Sequence, residues 1–214
     1  VDLLDAGRAA EKLAGLKDAT HVFYAAFQPA AGAAAGYASN IAPNRDMLVN
    51  AVTAIDRASR ALRRVVLVTG TKYYGTHLGP YRTPARESDP RHAGANYYFD
   101  QIDWLAAFKR DKSWDWVELR PQTLCGFAPG TPMSLAPAIA VYAAISKELG
   151  RPLDFPGKPG AYASIYQVTA SEHFANAALW AASEPRCALE AFNITNGDYF
   201  RWKNLWPKLA AAFD

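Results

Sequence analysis

A chain of 214 residues is long enough for one sizeable domain with room for a small lobe, and a hydrophobic share of 50% promises a buried core. Charged residues make up 20%, the net charge is +3 and basic residues do not cluster, which argues against a nucleic-acid partner. No apolar run approaches the roughly 20 residues that span a bilayer, so no membrane partner is expected.

The opening Val1-Asp2-Leu3-Leu4-Asp5 is acidic and unlike a signal peptide. A first residue other than Met is what part of a longer gene product would have. Cys125 and Cys187 make no metal spacing and read as reduced thiols of a cytoplasmic protein.

In chain order, residues 1–16 carry a helical period. Residues 21–27 form a short apolar run, read as a buried parallel strand. Residues 30–39 are an Ala/Gly-rich loop. Residues 44–63 are helical through Met47, Leu48, Val52, Ile55 and Leu62. Residues 64–70 are the clearest strand, β-branched and apolar after Arg64. The Arg63-Arg64 pair reads as a solvated cap at a helix end. Residues 79–94 are a long loop rich in Pro, Arg and Asp, of the kind that often carries function.

Further along, residues 98–110 predict a helix and 114–121 a strand ending at a proline. Residues 133–149 and 171–182 predict helices, 191–197 a last strand and 201–213 an amphipathic helix. Trp202 and Trp206, four apart, make a packing stripe on it. Strands alternating with long helices argue for an α/β domain with a mainly parallel sheet. The Gly-rich turn that normally opens a dinucleotide-binding sheet is missing; the run 30–36 lacks its spacing.

In open α/β sheets, ligands sit beyond the carboxyl ends of the strands. Three such ends are expected to converge: Ala25-Ala26-Phe27, Thr69-Gly70-Thr71-Lys72 and Arg120-Pro121-Gln122-Thr123. Small residues at the first suit close approach of a cofactor. The proline in the third frees backbone groups for an amide-bearing ring. Lys72 follows a strand end, and Tyr98 opens a helix. Each has a bland reading, a solvated lysine and a packed aromatic. Together they suit a reaction in which a substrate oxygen turns anionic, because a nearby ammonium lowers a phenol's pKa from about 10. Ordinary short-chain dehydrogenases place a lysine four residues after the tyrosine on one helix. Here that position is Ile102, so the cation must come from elsewhere. His21, His77, His92 and His173 lie too far apart in sequence to suggest a metal site, and no Gly-x-Ser-x-Gly elbow marks a serine hydrolase.

Taken in order, Thr69-Gly70-Thr71-Lys72-Tyr73-Tyr74-Gly75, Gly79-Pro80, Asn96-Tyr97-Tyr98-Phe99-Asp100, Leu119-Arg120-Pro121-Gln122-Thr123-Leu124-Cys125-Gly126-Phe127 and Glu190-Ala191-Phe192-Asn193-Ile194-Thr195-Asn196-Gly197-Asp198 resemble the progesterone 5β-reductase/iridoid synthase-like enzymes. These are atypical extended short-chain dehydrogenases/reductases, and the resemblance runs over nearly the whole chain. It implies a Rossmann-type doubly wound parallel sheet with a small C-terminal substrate lobe, here expected to lack the N-terminal βαβ unit. The core is expected over 1–126 with 155–200, and the lobe over 127–154 and 201–214.

The same resemblance implies NADPH, with NADH left open, and reduction of a C=C bond conjugated to a carbonyl in a small hydrophobic substrate. The family's catalytic lysine maps to Lys72. Its tyrosine maps to Tyr98, with Tyr97 as second choice. Ala25, Ala26, Phe27, Thr69, Gly70, Pro121, Gln122, Thr123 and Leu124 are expected to bind cofactor. Tyr73, Tyr74, Met133 and Tyr142 are expected to bind substrate. A homodimer is compatible with this reading. Two rivals remain: a carbonyl reductase or sugar-nucleotide epimerase/dehydratase of the same fold, and a non-catalytic cofactor-binding protein.

Overall fold

Strand β2 (Arg64–Val68) has Val65, Val66 and Leu67 without solvent exposure, as a strand covered on both faces must. The computed structural model describes residues 1–29, 37–128 and 134–213. Before β2 come helix α1 (Ala6–Leu13), strand β1 (His21–Tyr24) and helix α2 (Ile41–Ala58). After it come helix α3 (Tyr97–Phe108) and strand β3 (Asp115–Pro121). Then follow β4 (Leu124–Cys125), α4 (Leu135–Glu148), α5 (Pro159–Ala163), β5 (Ile165–Tyr166) and β6 (Thr169–Ala170). Helix α6 (Ser171–Ser183), strands β7 (Ala191–Ile194) and β8 (Phe200–Arg201) and helix α7 (Trp202–Phe213) complete the order.

Among the described residues, four strands form one sheet in the order β1-β2-β3-β7. β1 pairs with β2 and β2 with β3, both parallel, with His21 opposite Arg64 and Arg64 opposite Asp115. The crossovers are α2 and α3, which pack on each other and, with the strands, bury Leu48, Val52, Leu67 and Leu105 completely. The chain groups into two compact units: residues 1–120 with 178–193, and residues 121–177 with 194–214. Residues 121–126, 155–177 and 194–200, expected in the core, thus group with the second unit. The reason lies in their pairing: β4 pairs with β6 and β5 with β8. That unit's interior is a run of aromatic contacts, in which Phe155 meets Tyr162, Trp202 and Trp206. The Trp202–Trp206 stripe is buried there, edge to face with centroids 5.8 Å apart.

Three differences from the sequence expectations have identifiable side-chain causes. Helix α1 starts at Ala6 because the Asp5 carboxylate accepts from the Arg8 amide and caps it. Strand β1 stops at Tyr24 rather than Phe27. Beyond it, the Gln28 amide donates to Asn44 Oδ1 and the Gln28 carbonyl accepts from Asn44 Nδ2, both at 2.8 Å. A side-chain carboxamide thereby stands in for a neighbouring strand. Helix α2 ends at Ala58, since Ser59 turns extended and its hydroxyl donates to the Ala19 carbonyl. Arg64 is no solvated cap either. It is buried, paired with Asp115, and donates to the carbonyls of Ala181 and Glu184 at the end of α6.

Asn44 is fully buried, so truncating it strands the Gln28 backbone groups it serves. Asn44→Ala is expected to lower unfolding free energy by about 1–3 kcal/mol in urea denaturation. Arg57→Ala, on the exposed side of the same helix, is expected to change it by less than about 0.5 kcal/mol.

Candidate active site

The turn that carries Lys72 follows β2 directly. Thr69 continues the ladder, its amide donating to the Leu119 carbonyl at 2.9 Å, and its hydroxyl donates to Glu118 Oε1 at 2.6 Å. Gly70 then adopts φ 154°, ψ −177°, a region that essentially only glycine visits. The chain swings into a short 3-10 turn, Thr71–Tyr74, closed by the Tyr73 amide donating to the Gly70 carbonyl and the Gly75 amide donating to the Lys72 carbonyl. Gly75 is left-handed at φ 83°, and a Cβ there would lie 3.3 Å from His92 Cβ. Lys72 is half-buried, and its charge helps burial and His92 to hold His77 below the usual imidazole range.

Tyr98 sits in the first turn of α3, whose cap is Asn96. The Asn96 carboxamide oxygen accepts from the Tyr98 amide, and its nitrogen donates to the Lys72 carbonyl, both at 3.0 Å. One buried side chain therefore ties the lysine turn to the tyrosine helix. Ile102, four residues on, is buried in the core, so the helix supplies no cation at that position. The Tyr98 ring meets Tyr97 edge-on at 4.5 Å, and Tyr97 stacks on Phe27 at 5.7 Å. This brings the residues beyond β1 to the same place as the phenol.

Burial pushes the Tyr98 phenol above its ordinary value. The charge of Glu118 pushes the same way, against a hydrogen bond with Tyr97. The direction is opposite to that expected of a phenol beside Lys72. Desolvation of the phenolate is the largest cause.

Beneath the pair lies a polar network that sequence reasoning missed. Glu118 and Arg120 alternate with apolar residues on β3 and are 1% and 4% exposed. Arg120 Nη2 donates to Glu118 Oε2 at 2.7 Å, and its guanidinium lies 3.4 Å above the Tyr73 ring. Arg120 Nη1 donates to the Tyr74 hydroxyl and the Glu87 carbonyl, and Tyr74 donates to Asn193 Oδ1 at 2.8 Å. The Asn193 amide donates to Glu87 Oε1, fastening residues 79–94 to β7. The available signal was a charged pair two residues apart inside the apolar run 116–121.

Ala25 is exposed, and Ala26 and Phe27 are half-buried, beyond the end of β1. Thr69 and Gly70 are buried at the end of β2. Tyr73 and Tyr74, expected to bind substrate, are both buried, and the Tyr74 hydroxyl bonds with Arg120 and Asn193. Pro121, Gln122, Thr123 and Leu124 belong to the second unit, where the Thr123 and Tyr166 hydroxyls share a 2.6 Å hydrogen bond. Tyr142 lies there too, its hydroxyl donating to the Asp154 carbonyl. Met133 lies outside the described residues. Among the described residues, no helix is long and apolar enough to cross a membrane.

Known proteins give this geometry a family. The 3-oxo-Delta(4,5)-steroid 5-beta-reductase of Arabidopsis thaliana is 36% identical over 221 residues, covering 99% of this chain and 55% of that protein. An (S)-8-oxocitronellyl enol synthase of Nepeta racemosa is 35% identical over 219 residues, covering 99% of this chain and 54% of that protein. The chain thus spans about half the length of these curated relatives. Among solved structures, the UDP-glucose 4-epimerase of Thermus thermophilus, in complex with NAD, superposes with a TM-score of 0.71 at 20% identity. That match covers 100% of this chain and 68% of the epimerase chain, and it establishes the α/β Rossmann-like fold. A family profile for the PRISE-like Rossmann-fold domain matches residues 3–214. The chain belongs to the PRISE-like Rossmann-fold family, whose members include short-chain dehydrogenases/reductases acting as oxidoreductases.

Proposed function

We propose that the protein reduces an activated C=C bond of an enone or enal, using NADPH or NADH. The observation that carries this reading is the split pair: Lys72 after β2, Tyr98 on α3, joined by Asn96, with Ile102 buried where a helical lysine would stand. The names of the two curated relatives, a 3-oxo-Δ4,5-steroid reductase and an enol synthase, support the same chemistry.

A nicotinamide fits the first unit's strand ends. β1 and β2 end side by side, the residues beyond them are small at Ala25, Ala26 and Gly70, and Lys72 adds positive charge. Thr69 and Phe27 complete the proposed contacts of that unit. When bound, the reduced nicotinamide supplies the hydride for the β-carbon of the conjugated bond. Tyr98 keeps its proton and donates a hydrogen bond to the carbonyl oxygen as negative charge moves there. Lys72 adds positive charge beside the developing enolate. Burial of the phenol removes competing water and strengthens that donation. The substrate is a small, hydrophobic carbonyl compound, and the protein is proposed to work in the cytoplasm.

In the full-length protein with NADPH and a simple cyclic enone, Tyr98→Phe and Lys72→Ala are each expected to lower kcat by about 10²–10³, the cost of losing one oxyanion donor. Turnover left intact in both variants would remove the assignment. With the enolate protonated at its α-carbon by solvent, the product is expected to be the saturated ketone; an allylic alcohol points to a carbonyl reductase instead. The pH profile is a second check. Turnover requires the protonated phenol, so the basic limb of kcat lies above the ordinary phenol value of about 10. Removing the Glu118 charge favours the phenolate, so Glu118→Gln, which keeps an oxygen for Thr69, is expected to move that limb to lower pH. A limb that stays or rises rules out this role for Glu118.

A further inference from the structure

Asn96 does more than a helix cap requires. Asp, Ser and Asn cap helices about equally well, because all three offer an acceptor oxygen to the first-turn amides. The acceptor half of Asn96 does this for Tyr98. The donor half is unrelated to capping. It reaches 24 residues back to the Lys72 carbonyl, at 3.0 Å, with Asn96 only 1% exposed. The same nitrogen lies 3.3 Å from His92 Nε2.

We propose that Asn96 is a positioning residue that sets Lys72 and Tyr98 in register, its amide nitrogen holding the lysine turn and its amide oxygen holding the tyrosine helix. This rests on reading Lys72 and Tyr98 as the catalytic pair. The lysine turn needs such a hold. It enters through Gly70, a residue without a Cβ in a glycine-only conformation, and while Arg120 and Asn193 hold its Tyr73 and Tyr74 side chains, the Lys72 backbone is held by Asn96. Its far end is closed on itself, since the Gly75 amide donates to the Lys72 carbonyl at 3.1 Å. The Asn96 bond lands on that same carbonyl and so ties the Lys72 backbone to the first turn of α3. Aspartate at this position keeps the cap and loses the donor. It also sets a carboxylate against a carbonyl oxygen. Alanine loses both.

The test uses Asn96→Asp and Asn96→Ala in the full-length protein, with two readouts. In enone reduction, Asn96→Asp is expected to lower kcat by up to about 100-fold, the scale of an ångström-sized misplacement, with KM for the enone changed far less. In site-resolved hydrogen exchange, Asn96→Asp is expected to speed exchange at the Tyr73 and Gly75 amides while the Tyr98 amide stays protected. Asn96→Ala is expected to speed all three. Wild-type kcat and wild-type exchange in Asn96→Asp overturn the proposal. So does loss of protection in Asn96→Asp at Tyr98 together with the turn, which makes the effect a general loosening rather than the loss of one donor. If the wild-type protein reduces no enone, the proposed function falls, while the exchange pattern still decides whether Asn96 holds the turn.

Discussion

Strand β2 has no face in water, and this constraint organises everything around it. Val65 and Leu67 pack in one cluster with the crossover helices α2 and α3, and Val66, on the opposite face, is equally without exposure. Polar function can therefore leave the strand only at its ends. At the entrance, Arg64 is spent on Asp115 and on the last carbonyls of α6. At the exit, Thr69, Gly70 and the Lys72 turn emerge at the edge where parallel sheets bind their ligands. The placement of the lysine is thus a result of burial first and of chemistry second.

The neighbouring strand breaks the rule, and the surroundings answer for it. Glu118 and Arg120 bring charge into a place where an unpaired ion would cost several kcal/mol. Each is met by groups from several segments: Thr69 and Arg120 for the carboxylate, Tyr73, Tyr74 and the Glu87 carbonyl for the guanidinium. Such a network adds little net stability, since desolvation offsets most of the attraction. Its value is specificity of arrangement. It binds the long irregular segment 79–94 to the sheet through Glu87 and Asn193.

Much of this was legible in the residues. The apolar run 64–70, the helical period after Asn44 and the split between Lys72 and Tyr98 all report on short-range or strand-level physics. Ends of elements were less legible, because long-range side chains decide them: Asn44 ends β1 from a helix, and Ala19 receives the serine that ends α2. Arg64 read as solvated since its partners lie 51 and more residues away. Tyr73 and Tyr74 read as substrate contacts because aromatics beside a catalytic lysine suit a pocket. The network that claims them is formed by residues from β3, β7 and the loop, which no local pattern joins. The phenol's raised pKa was hidden for the same reason: it comes first from burial by the folded chain and then from Glu118 on β3.

That approach has a consequence for how the site responds to its medium. Exposed charges are screened within about 8 Å at physiological ionic strength, so surface electrostatics fades as salt rises. Glu118 and Arg120 are out of reach of mobile ions. The field that Glu118 imposes on the Tyr98 phenol is therefore little altered by them. The part of that hydroxyl's raised proton affinity that comes from Glu118 persists in media that would erase a surface charge effect.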